Sequence, residues 1–178
     1  MASAALRISV DEFLSLPAVD GIKRELVNGE IWEEPLSNAH QAHEILKGRI
    51  LQRLAYFAGL PARYLVFSES AYQFAEDELM SPDVSVVIEA RPNLRSKGFL
   101  TCVPEITVEI VSSESAERLY HKVNTYRAQG VKEVWIVLPQ ESEVLIYAST
   151  GIAELRRKDT LTSPLLLGFS YPLEELFS

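Results

Sequence analysis

The segment Ile106-Thr107-Val108-Glu109-Ile110-Val111 sets a carboxylate in the middle of a run dense in β-branched apolar residues. Such a run reads as a central, buried strand of a sheet. An ionised acid without a partner in that setting costs several kcal/mol even after relaxation, so the fold has to supply one. Asp83 raises the same question, because it follows Pro82 and opens a second strand-like run, DVSVVIEA. If the two strands pair, their acids come together, and a shared divalent cation would resolve both costs. The plain alternative is a Glu on the solvent face of its strand and an Asp at a strand edge, the more frequent arrangement on residue type alone.

The surrounding chain reads as one mixed α/β domain. Ser9 and Glu12 form a capping-box pattern that opens a short helix before Pro17. KRELVNGEIWEEP places two short runs around Asn28-Gly29, the dipeptide of a type I′ hairpin. From Asn38 to about Ala58, Ile45, Leu46, Ile50, Leu51, Leu54 and Phe57 recur at helical spacing. A meander of strands is expected over residues 62–88, then a loop rich in Arg, Lys, Gly and Pro. After the Glu109 strand, residues 114–129 read as a helix ended by Gly130, with Ser112, Ser113 and Ser115 placed to cap it. EVWIVLP and EVLIYAS read as a hairpin, GIAELRRKDT as an extension of the sheet, and Leu173, Leu176 and Phe177 as a terminal apolar turn.

With 178 residues and 47% apolar content, the chain is the right size for a single core, and no repeat or linker divides residues 1–178. A lone cysteine, Cys102, excludes an intramolecular disulfide and a cysteine metal cluster, and points to a reducing compartment, the cytoplasm. No stretch approaches the about 20 apolar residues of a membrane span, and the N-terminus lacks the order of a signal peptide, so a soluble protein with no membrane partner is expected. The net charge of −8 argues against general affinity for nucleic acid. A site that collects cations nevertheless needs clustered acids, and a local basic surface can coexist with an acidic total.

Taken in order, SPDVSVV, PEITVEIVSSES, the Lys-x-x-x-Tyr of HKVNTY, and GVKEVWIVLP resemble the Uma-two family, a DUF820-like group of restriction-endonuclease type within the PD-(D/E)XK nuclease superfamily. RELVNGEIWEEP followed by a His-bearing helix resembles that family's N-terminal half, so the likeness spans roughly residues 9–148. The resemblance implies a restriction-endonuclease-like fold, a mixed twisted sheet flanked by helices. It also implies Mg²⁺ or Mn²⁺ as cofactor and DNA as partner. Asp83 matches the Asp of the Pro-Asp motif and Glu109 the acid of the (D/E)XK strand, which makes both metal ligands. The superfamily's lysine belongs two residues after Glu109, where this chain has Val111. Lys122 matches a lysine typical of the family and is the candidate for the relocated role, assisting the attacking water and offsetting transition-state charge. An ordinary solvated helix lysine is its bland reading. Glu25 matches a family acid and becomes a third metal ligand or a hydrogen-bond partner of a metal-bound water.

Other residues carry weaker signals. Glu30, across the turn, reads as a surface acid, and Tyr126 as a packing residue with a polar tip. His40 and His43 stand three apart on a helix, a spacing too weak for a zinc site without further ligands. His43 and Arg49 are assigned to the edge of the site or to substrate phosphate. Arg53, Arg91, Arg95 and Lys97 could add to a local positive surface, or be plain solvated charge. No glycine-rich phosphate loop or serine-nucleophile signature is present.

The expectation is a metal-dependent DNA endonuclease that uses Asp83, Glu109 and Lys122. The rival is a catalytically inactive binding module that keeps the nuclease fold, for which Val111 and the acidic total speak. Exposed strands such as EVLIYAS suggest a homodimer.

Overall fold

The computed structural model describes residues 7–35, 41–58, 64–88, 98–112 and 115–178. In chain order the elements are α1 (Val10–Ser15), β1 (Ile22–Val27), β2 (Glu30–Pro35), α2 (Gln41–Ala58), β3 (Tyr64–Ser68), β4 (Tyr72–Ala75), β5 (Glu78–Met80) and β6 (Val84–Ile88). They continue as β7 (Ile106–Ile110), α3 (Ala116–Ala128), β8 (Glu133–Leu138), β9 (Glu143–Ala148), β10 (Gly151–Arg156), β11 (Thr160–Leu161), β12 (Tyr171–Pro172) and α4 (Leu173–Leu176).

The main sheet has six strands in the order β10-β9-β8-β7-β6-β3. Among the described residues its one parallel pair is β7 with β8, and α3 lies between them in the chain. A parallel pair requires such a crossover, and the helix thereby covers one face of the sheet. Side chains alternate along each strand, so β7 sends Ile106, Val108 and Ile110 to one face and Thr107 and Glu109 to the other. The first set packs with Trp135 and Val137 of β8 against Leu46, Ile50 and Leu54 of α2 in the largest core cluster. On the opposite face, Val134 and Ile136 of β8 pack with Val123 and Tyr126 of α3, and with Val27 and Met80 from a second sheet. Glu109 therefore lies between two covering layers, and only 2% of its surface is exposed.

Local chemistry accounts for several boundaries. Ser9 Oγ accepts from the Glu12 amide and the Glu12 carboxylate accepts from the Ser9 amide, closing the capping box of α1. Asn28 and Gly29 take φ values of 49° and 76°, the positive values a type I′ turn demands, and set β1 against β2 from Ile22↔Pro35 to Val27↔Glu30. Ser115 caps α3 by accepting from the Arg118 amide. Residues 38–40, expected as the start of α2, lie outside the described residues, as do Ser113 and the loop residues Arg91, Arg95 and Lys97.

Two expectations are corrected. Residues 62–88 do not form one meander: β3 and β6 pair in the main sheet, whereas β4 and β5 leave for a four-stranded sheet ordered β2-β1-β5-β4. That pairing buries Leu26 of β1 and Leu79 of β5 with Val10 of α1, a non-local gain that no local window reveals. EVLIYAS is not an exposed edge. It is β9, held between β8 and β10, and β10 is the edge strand. Among the described residues, no helix is long and apolar enough to cross a membrane.

Ile50 is 1% exposed in the layer between α2 and the sheet. Ile50→Ala should lower the unfolding free energy by about 2–5 kcal/mol, read as a lower urea midpoint at an unchanged m-value.

Candidate active site

The ladder between β6 and β7 ends at Val84↔Val108. One step beyond it, the Ile110 amide donates to Asp83 Oδ2 at 2.8 Å, so the side chain of Asp83 takes over where backbone pairing stops. The same oxygen meets His43 Nε2 of α2 at 3.0 Å, and Oδ1 faces Lys23 Nζ of β1 at 3.7 Å. Asp83 is thus pinned from three elements while 4% exposed.

Glu109 projects from β7 toward α3, where Lys122 and Tyr126 stand four apart and share a face. The Tyr126 hydroxyl donates to Glu109 Oε1 at 2.6 Å, and Lys122 Nζ reaches Oε2 at 3.2 Å. Lys122 Nζ also meets Glu25 Oε2 of β1 at 3.1 Å, and Glu25 Oε1 accepts from the Ser81 amide at 2.8 Å. The ammonium of Lys122 therefore ties together acids from two sheets. Lys23 precedes Glu25 by two residues on the same strand, which puts both on one face. Next to this cluster opens a small cleft lined by Lys23, Glu25, Trp32, Glu34, Arg118 and Lys122.

The two central acids ionise in opposite senses. Burial alone would raise Asp83, but the hydrogen bond to His43, the charges of Lys23 and His43 and the Ile110 amide outweigh it and hold it at about 2. Burial pushes Glu109 up to about 8; the Lys122 charge opposes the rise, and the neighbouring charges of Asp83 and Glu25 add to it. In the metal-free cluster Asp83 is thus the readily ionised acid, and Glu109 the one whose ionisation burial opposes. For His43, burial acts downward, yet the hydrogen bond and charge of Asp83 prevail and raise it, favouring the imidazolium. Lys23 follows the same logic: burial lowers it, and Glu25 and Asp83 more than restore it.

A hard divalent cation suits this donor set. Mg²⁺ needs only one or two carboxylates with its remaining positions filled by water, and a cation beside Glu109 would add to the Lys122 charge that favours its ionised form. The fit is to a pair of acids rather than a complete cage. Glu25 has its oxygens engaged by the Ser81 amide and Lys122, as Glu109 has by Tyr126 and Lys122, and among the described residues no group of three or more His, Cys, Asp and Glu side chains stands ready as a metal set.

The structure brings Asp83, Glu109, Lys122, Glu25 and His43 into one cluster, and Glu30 is exposed as a surface acid. Arg49 belongs elsewhere. Its Nη1 donates to the carbonyl oxygens of Leu176 and Ser178 at 2.7 and 2.8 Å, and Arg53 likewise holds the Ser170 carbonyl. Both arginines anchor the C-terminal turn to α2, which corrects the expected place of Arg49 at the edge of the site or on substrate phosphate. His40 lies outside the described residues. Lys23 is a member of the cluster that the sequence reading misses, although its spacing of two from Glu25 on a strand is a signal for it. Tyr126 packs as expected and is also a hydrogen-bond partner of Glu109.

The sheet order, the helix layers and the acids carried by adjacent strands define a restriction-endonuclease-like α/β fold. Residues 10–174 match the model of the Uma2 (Uma-two) family, described as "Putative restriction endonuclease", and the chain belongs to that family. A crystal structure from Anabaena variabilis, described as "a putative nuclease belonging to DUF820", superposes with a TM-score of 0.83 at 21% identity. The match covers 96% of this chain and 97% of that one, and at this identity it speaks for the fold. No curated protein matches the chain.

The titration of the cluster sets a pH dependence of stability without metal. Glu109, raised above its usual 4.5, favours the folded state fully below that value and loses this contribution as pH rises toward about 8. His43, raised from 6.5, acts in the same direction, whereas the contribution of Asp83 is lost only as pH falls through about 2. In EDTA, the unfolding free energy should fall by a few kcal/mol between pH 5 and pH 8.5, a tenfold difference in proton affinity being worth about 1.4 kcal/mol. Glu109→Gln, which keeps an acceptor for Tyr126, should remove most of that slope in urea titrations. An unchanged slope would place the titrating group elsewhere.

Proposed function

We propose that the protein is an endonuclease that hydrolyses phosphodiester bonds in DNA and depends on Mg²⁺ or Mn²⁺ held by Asp83 and Glu109. The observation that carries this reading is the convergence of two buried acids, Asp83 and Glu109, with a lysine from the following helix in one hydrogen-bonded cluster. A buried cluster of three acids and two lysines has little use as plain stabilisation, since hydrophobic replacements of buried ion pairs are often neutral or better. It has use where phosphate charge must be met.

When bound, the cation supplies a Lewis acid and an activated water. The chain's own residues prepare that chemistry. The Ile110 amide and His43 fix Asp83 in its ionised form, so one oxygen-donor ligand is already charged and oriented. Tyr126 and Lys122 each hold one oxygen of Glu109, which restricts its rotamer and favours ionisation once its proton is displaced. Glu25 acts at one remove, setting Lys122 in place and able to accept from water at the edge of the cluster. With Val111 at the superfamily lysine's position, α3 brings Lys122 to Glu109 and Glu25 and so supplies the cluster's buried positive charge from the helix. Cutting both strands of a duplex calls for two such sites, so we extend the proposal to a homodimer.

A second reading, a binding module without catalysis, is favoured by Val111 and by the net charge of −8. Plasmid cleavage in Mg²⁺ or Mn²⁺ separates the two. The wild type should nick and linearise supercoiled DNA, Asp83→Asn and Glu109→Gln should each lose more than about 100-fold, and Lys122→Met about 10- to 100-fold, with circular dichroism unchanged. Wild-type protein that binds DNA and leaves it intact with either metal supports the binding module instead.

A further inference from the structure

The two lysines of the cluster are not equivalent. Lys122 Nζ sits 3.1 and 3.2 Å from two carboxylates with a side chain only 5% exposed, so its donors point into the protein. Lys23 Nζ is 3.7 Å from Asp83 Oδ1, within ion-pair range but beyond a charge-assisted hydrogen bond, and its side chain is 20% exposed. It lies in the wall of the small cleft together with Lys122 and Glu25.

Arg118 shares that wall. Its guanidinium stacks over the Trp32 ring, 5.1 Å from the centroid, and its Nη1 donates to the Glu33 carbonyl at 3.0 Å. Stacking and a single backbone contact orient the guanidinium while leaving most of its five N–H donors uncommitted to carboxylates of the described residues. The acids of the wall are themselves occupied: Glu25 by Ser81 and Lys122, and Glu34 by Ser112 Oγ at 3.5 Å.

We infer that this cleft is a phosphate subsite for one strand of DNA, in which Lys23 contacts the phosphate nearest Asp83 and Arg118 holds the backbone at the outer wall. The subsite rests on the nuclease reading and assigns its parts. Lys23 becomes the catalytic cation that meets the substrate, and Lys122 a positioning residue that acts through Glu109 and Glu25. An acidic chain can then hold a polyanion, since the needed charge is local and Lys23 stands beside Asp83.

The test is the binding of a short fluorescein-labelled DNA duplex, followed by anisotropy across a salt series in Ca²⁺, for wild type, Lys23→Gln, Lys23→Arg and Arg118→Gln. Lys132→Gln, just before β8 and away from the cleft, is the control. Lys23→Gln and Arg118→Gln should each weaken binding about 5- to 10-fold and reduce the salt slope by about one, while Lys23→Arg restores both. Mn²⁺ binding, measured by calorimetry on the same proteins, should be retained in all of them and tighten in Lys23→Gln, which removes a like charge beside Asp83, a result a merely structural lysine would not give. Wild-type affinity and slope in Lys23→Gln, or a weakening matched by Lys132→Gln, overturns the subsite, as does loss of Mn²⁺ binding in parallel with DNA binding. Wild-type protein that binds the duplex through Lys23 but never cuts it removes the nuclease reading and leaves the subsite standing. Wild-type protein that binds no duplex removes the subsite whatever its metal affinity.

Discussion

A carboxylate on the inward face of a central strand imposes terms on everything around it. Glu109 sits between the main sheet and the layer formed by α3 and the second sheet, where water cannot solvate its charge. Tyr126 and Lys122 satisfy its two oxygens, and both come from α3, so the crossover that makes β7 and β8 parallel also delivers the partners. Lys122 in turn needs Glu25, which fixes where β1 must lie, and Glu25 takes the Ser81 amide just before Asp83. One buried acid thereby links two sheets, a helix and the second acid.

The opposite shifts of Asp83 and Glu109 follow from what each can reach. Asp83 sits at a strand end, open to a backbone amide, a histidine from α2 and a lysine from β1, and these outweigh its burial. Glu109 lies within its strand, where the charge of Lys122 is set against full burial and two neighbouring acids. Such a pair is close to balance and responds to added positive charge, which is the property a cation site requires. The same reasoning separates the lysines: the one that neutralises the acids is fully engaged, and the one at the rim remains available.

How much of this is legible in the residues differs by the range of the forces involved. The capping box at Ser9, the Asn28-Gly29 turn and the Ser115 cap are local chemistry, and the chain adopts them as read. The buried acid in ITVEIV is legible because its neighbours leave it no solvent face. The departure of β4 and β5 to a second sheet is not, since strand pairing depends on partners about fifty residues away, at Leu26 for Leu79. Arg49 shows the limit for side chains: positive charge on a helix suggests substrate, whereas the uncapped carbonyls of the C-terminal turn claim it. Lys23 is the converse case, a residue that looks like surface charge until its strand parity with Glu25 is counted.

The central claim is that Asp83 and Glu109 form one cation site. Anomalous scattering from crystals soaked in Mn²⁺ tests it most directly. The expected result is a peak shared by the carboxylates of Asp83 and Glu109 in the wild type and lost in Asp83→Asn. A peak that avoids both acids, or no peak at Mn²⁺ concentrations that support cleavage, would contradict it.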